Sequence, residues 1–110
     1  MELSKQDKKV AREVIEIGLQ RDFEYGLGKT EELLLNWRKG VSNKETYHAV
    51  YKHIRSFDKH IALRYDNITG SRYLITITGQ LLDEVLHDED LVNFSEEVQL
   101  YLKSVVKNFS

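Results

Sequence analysis

The residues able to do chemistry are few. Four histidines, His48, His53, His60 and His87, stand beside 18 Asp and Glu, and cysteine is absent. Thiolate nucleophiles, thiolate metal sites and disulfides are therefore excluded by inventory. Glu45 with His48, and Glu84 with His87, have the E-x-x-H spacing that di-iron carboxylate bundles place on two of their helices. At 100° per residue, however, both pairs point away from the apolar stripes of their own segments. Ion pairing at the surface is the expectation for them, and no metal or other cofactor is expected. His53 and His60 lie about 10 Å apart along a helix, too far to share an ion unaided. Seven acids fall between Asp83 and Glu97 with no lysine or arginine among them. They lack the glycine of a D-x-[DN]-x-[DN]-G calcium loop, so they read as a solvated connector.

Two short motifs touch phosphate chemistry. Gly26-Leu27-Gly28-Lys29-Thr30 ends like a phosphate-cradling loop, in which backbone amides and a lysine hold the anion. The first glycine of that pattern would stand where Phe23 is, and the preceding Ile15 to Leu19 reads as helix, not as a buried strand. Arg55-Ser56-Phe57-Asp58-Lys59-His60 resembles the R-x4-H motif of the HEPN class of helical ribonucleases, with Ser56 where that family usually has Asn, Asp or His. The resemblance covers two residues. It implies a small all-helical fold, His60 as general base, Arg55 as a clamp on the scissile phosphate, and two chains that juxtapose their copies.

A third feature is a row of charge. Lys44, His48, Lys52, Arg55 and Lys59 recur at intervals of four, four, three and four, which aligns them along one side of a helix as candidate anion-binding residues. Residues 1 to 64 carry 13 basic and 10 acidic side chains, and residues 65 to 110 carry 3 and 8. A solvated face, docking against the acidic 83 to 97 segment, and nucleic-acid phosphate compete for that row. The net charge of −2 argues against a dedicated nucleic-acid binder. Asp58 is the odd residue, because it falls between Ile54 and Ile61 on an apolar stripe where a carboxylate needs a partner. Arg72, the turn amides near Thr69 to Ser71, or a tyrosine hydroxyl would serve.

The elements that must position these residues are helical. Val10, Val14, Ile17 and Gly18 have amphipathic spacing from Ser4 onward, followed by Leu19, Phe23, Leu34 and Trp37 on a rotated stripe. Gly26 and Gly28 each cost about 1 kcal/mol against Ala in a helix interior, so they mark either a kink or a close helix contact. Gly40 is a stop, and Ser42 or Asn43 caps a second helix. In it Tyr47, Val50, Tyr51, Ile54, Phe57, Ile61 and Tyr65 share one face, the expected core face. Asp66 to Ser71 is a turn. Tyr73 to Thr78 is β-branched enough for a strand, but Leu74, Ile77, Thr78, Leu81, Leu82 and Val85 keep helical spacing and favour helix. Ser95 caps a last helix that buries Val98, Tyr101, Leu102, Val105 and Phe109.

With 110 residues, 41% of them hydrophobic and none of them proline, a single all-α domain is expected, a small antiparallel bundle or an irregular array of four to five helices. The charged N-terminus lacks a signal-peptide core, and no apolar run reaches the length of a membrane span, so a cytoplasmic protein with no membrane contact is expected. A motif-poor helical chain of this kind is expected to be a non-enzymatic protein-interaction or structural module that meets a protein partner or a second copy of itself. The second reading is an anion or nucleic-acid binder, up to a HEPN-like ribonuclease.

Overall fold

In the computed structural model, which describes residues 1 to 109, the chain is all-helical and shows no strand among the described residues. Its α-helices are α1 (Lys5–Arg38), α2 (Asn43–Tyr65), α3 (Tyr73–Leu82) and α4 (Glu96–Phe109), with short 3-10 turns at Gly70–Arg72 and Asp88–Leu91. Residues 73 to 78 are thus helical, as their longer-range spacing predicts. Among the described residues no helix is long and apolar enough to cross a membrane. By internal contacts the chain divides into two compact units, one of residues 1–20 with those from 67 onward, and one of residues 21–66.

The first unit holds every buried apolar side chain of the described chain. Leu3, Val10, Ala11, Val14 and Ile15 come from the start of the chain, Ile77 from α3, and Leu86, Leu91, Phe94, Val98 and Leu102 from α4 and the segment before it. Two polar contacts fix this core. Gln80, fully buried, donates from Nε2 to the carbonyl of Ile15 at 3.1 Å. That approach needs Gly18, where a Cβ would stand 2.0 Å from the same nitrogen. Asp7 is the second clamp. Its carboxylate accepts the backbone N–H of Ser95 at 2.9 Å and the Ser95 hydroxyl at 2.7 Å, while Ser95 Oγ accepts from Val98 N at 3.5 Å and caps α4. The expected buried faces hold only in part: Ile17, Leu82, Tyr101 and Phe109 are exposed, because each helix meets the core along a stripe narrower than its apolar arc.

The second unit is a two-helix hairpin, in which the later half of α1 runs antiparallel to α2. The turn between them uses Gly40 at φ 121°, in the left-handed region, and Ser42, whose hydroxyl accepts the Glu45 N–H at 3.2 Å. At the turn end Trp37 Nε1 donates to Asn43 Oδ1 at 2.7 Å, and at the other end Arg64 Nη1 donates to Asp22 Oδ2 at 3.1 Å. α1 neither kinks out of helix nor breaks at its glycines. Gly26 is instead the close contact, since a Cβ there would stand 2.5 Å from two ring carbons of Phe57, whereas nothing lies within 4 Å of one at Gly28.

Two outcomes follow from these contacts. Gly28→Ala gains helix propensity of about 1 kcal/mol with no clash, and Gly26→Ala loses about 1–3 kcal/mol to overpacking in spite of the same propensity gain; urea unfolding of both variants measures the opposite signs. The Asp7 carboxyl is held below its ordinary value chiefly by the Ser95 backbone N–H, with the Ser95 and Ser4 hydroxyls adding to it and burial opposing. A depressed carboxyl contributes stability above its unfolded pKa of about 3.9 and loses it as pH falls through the folded value. Asp7→Asn is therefore less stable than wild type at pH 7 by about 1–3 kcal/mol, and the gap closes in unfolding titrations taken below about pH 4.

Candidate functional site

The chemistry-bearing residues gather on the hairpin, and its packing face is not the one the apolar spacing of α2 predicts. Thr46, His53, Phe57, His60 and Arg64 turn toward α1, and a quarter turn away the outer part of the expected core stripe faces solvent. Tyr47, Tyr51 and Ile54 are exposed, Val50, Ile61 and Tyr65 are half-buried, and Phe57 alone of the seven packs directly over Gly26. The cause lies in α1. Asp22 is 5% exposed, on the same stripe as Gly18 and Gly26, and a buried carboxylate must find charge and donors or not be buried at all. α2 supplies them by turning its polar side inward: Arg64 on Oδ2, the Tyr65 hydroxyl hydrogen-bonded to the same oxygen, and His60 Nε2 3.6 Å from Oδ1. One turn along, His53 Nε2 lies 2.9 Å from the Gly26 carbonyl, and Phe57 sits between the His53 and His60 rings, with centroids 6.0 and 5.9 Å away.

Asp58, expected to be buried and paired, is exposed and makes no hydrogen bond or ion pair among the described residues. It shares the stripe that was rotated outward, so water solvates it. The polar side chains that are buried instead are Asp7, Asp22 and Gln80, with the threonines Thr46, Thr76 and Thr78. Their signal was present in the sequence, since Asp7 and Asp22 continue the spacing of Val10, Val14 and Gly18.

The other candidates lie apart. Arg55 is exposed and donates to the Tyr51 hydroxyl at 3.4 Å, while His60 faces Asp22, so the two residues of the R-x4-H motif project about 140° apart around α2. Gly26 to Thr30 lies in the interior of α1, where Thr30 Oγ1 donates to the Gly26 carbonyl at 3.1 Å and the backbone amides serve the helix. Glu45 and His48 are exposed on α2, and Glu84 stands in a turn at φ 59°, outside any helix. Among the described residues no three His, Asp or Glu side chains gather in a way that could hold a metal ion. Within the acidic connector, Asp90 accepts the His87 N–H at 2.8 Å, so part of that charge serves as a cap.

Two surfaces of the hairpin remain open. The basic row Lys44, His48, Lys52, Arg55 and Lys59 is exposed along its whole length, and none of the five has an acidic partner among the described residues. Beside it lies an apolar face formed by Phe23, Leu27 and Leu34 of α1 with Tyr47, Tyr51 and Ile54 of α2, side chains 41 to 69% exposed. At its turn end a shallow groove of about 260 Å³ is lined by Leu34, Trp37, Asn43, Thr46, Tyr47 and Val50. On its floor the Thr46 hydroxyl is buried with no hydrogen-bond partner among the described residues.

Comparison with known protein families, curated proteins and solved structures gives no match to the chain.

The Asp22 cluster carries a direct test. Asp22→Ala removes the carboxylate on which the Arg64 side chain, 12% exposed, and the Tyr65 hydroxyl close, and costs about 3–5 kcal/mol as other one-sided breaks of buried pairs do. Asp58→Ala, on the solvated stripe, stays within about 0.5 kcal/mol of wild type. Thermal or urea unfolding of the two variants measures the contrast.

Proposed function

We propose that the chain is a protein-interaction module and that the open apolar face of the α1–α2 hairpin is its docking surface. One observation carries this reading: six large apolar side chains on one side of a hairpin in which no apolar side chain is buried. Scattered exposed hydrophobics need no explanation, but a contiguous patch rimmed by charge marks a contact site. Tyrosine suits such a surface because it brings large contact area at low entropic cost and a hydroxyl that pairs at the rim.

The second reading, an anion or nucleic-acid binder, draws on the unpaired basic row. It predicts RNA or DNA binding that weakens with salt and loses slope when Lys52, Arg55 and Lys59 become Gln. The ribonuclease version of it draws no support from the geometry, since Arg55 and His60 do not converge.

The docking reading is tested by a photo-crosslinking residue placed at Tyr51, with one at exposed Ser56 on the opposite side of α2 as control, in the cells the protein comes from. Protein adducts form from position 51 and not from 56. Adding Leu34→Glu and Ile54→Glu abolishes them, while helix content is unchanged. Equal adducts from both positions, or none from either, overturn the reading.

A further inference from the structure

Building on that reading, we infer that the occupant of the apolar face is a second copy of the chain, seated so that α1 of one protomer lies across from α2 of the other in an antiparallel four-helix bundle. Three observations lead there.

The first is what the hairpin lacks. Two helices alone bury little, and the unit Arg21–Asp66 is only a little longer than the roughly 40 residues below which a staple, a metal or a partner is usually needed. This one has no cysteine and no metal-holding cluster among its described residues, and every apolar side chain from Arg21 to Asp66 remains at least partly open to water. A second hairpin laid across such a face closes it as a four-helix bundle with helical elements alone.

The second is area. The 23 residues of α2 make a rod about 34 Å long, and two helices side by side are about 20 Å wide, so the face offers on the order of 700 Å². A stable interface buries about 800 Å² on each partner. The face is of the size a dimer uses.

The third is charge, and it chooses the arrangement. On α1 the outer edge of the face carries Glu24 and Glu31; on α2 the outer edge carries Lys52, Arg55 and Lys59. All five are exposed and unpaired with opposite charge among the described residues. Within the hairpin, Phe57 stands level with Gly26. Because the helices are antiparallel, Lys59 then stands level with Glu24, and Lys52 with Glu31. A two-fold axis along the bundle keeps these levels and brings the acidic edge of each α1 against the basic edge of the partner's α2, twice over, as an isologous interface requires. A two-fold axis across the bundle would instead set acid on acid and base on base, which costs several kcal/mol. Both arrangements leave every neighbouring helix pair antiparallel, so charge alone decides between them. One residue of the face opposes association: Asp58 makes no ion pair among the described residues and must shed water when the face closes.

Sedimentation equilibrium or light scattering of the full chain tests the inference with three kinds of variant. Wild type is a dimer at micromolar concentration, Leu34→Glu with Ile54→Glu is a helical monomer, and Asp58→Asn tightens the dimer. The charge arm separates the two arrangements. Glu24→Lys with Glu31→Lys weakens self-association by about ten-fold or more, Lys52→Glu with Lys59→Glu does the same, and mixing these two chains restores a heterodimer. A dimer that ignores the charge variants overturns the arrangement. A wild-type chain monomeric at high micromolar concentration overturns the inference, and the adducts from position 51 then distinguish the cases. Adducts with a different protein leave the docking reading standing and identify that protein as the occupant, whereas absent adducts remove both.

Discussion

Asp22 has to be paired, and the hairpin is arranged around that need. It lies on the α1 stripe that any neighbour must cover, and a carboxylate removed from water there is tolerable only with a cation and donors at hand. Arg64, Tyr65 and His60 answer from the last two turns of α2. Fixing those turns fixes the rotation of the whole helix, because 3.6 residues per turn leave no freedom further along. Phe57 is thereby set over Gly26 and His53 onto the Gly26 carbonyl, and the tyrosine and isoleucine stripe is left outside.

The first unit shows the same logic at smaller scale. Asp7 reaches across 88 residues of sequence to the first backbone N–H of the α4 cap, and Gln80 reaches Ile15 through the space that Gly18 leaves. There the polar contacts sit at the rim or in the middle of a real apolar core, so they choose register while burial supplies most of the stability. In the hairpin the order is reversed. Polar pairing chooses the face, and the apolar residues are left to whatever comes next.

This difference explains how much of the protein is legible in its sequence. The helices, their caps at Ser42 and Ser95, the stop at Gly40 and the helical state of residues 73 to 82 all follow from local chemistry, and the structure has them. The buried face of α2 does not follow, because periodicity reports which residues are apolar together, not which neighbour covers them. Tyr47, Tyr51 and Ile54 are a true amphipathic stripe; the error lies in equating a stripe with the intramolecular core. Asp58 inherits that error, being placed in a core that is elsewhere. Asp22 was readable as a carboxylate on the Gly18–Gly26 stripe, but its partner, 42 residues away, requires knowing which helix crosses α1.

A sequence that keeps a strongly apolar stripe on a helix and then spends that helix's packing on a buried ion pair is in local conflict, and such conflicts are where function tends to reside. Buried ion pairs seldom add net stability over a well-packed apolar face, so stability alone does not account for turning Phe23, Leu27, Tyr47, Tyr51 and Ile54 outward. The outward stripe makes sense if something covers it for part of the protein's life. On that view the Asp22 cluster has a second consequence: by holding α2 in one rotation, it presents the apolar face already organised, so that a partner pays no entropy to turn the helix before docking. The cluster and the face are then one device, with the ion pair setting the register in which the surface is offered.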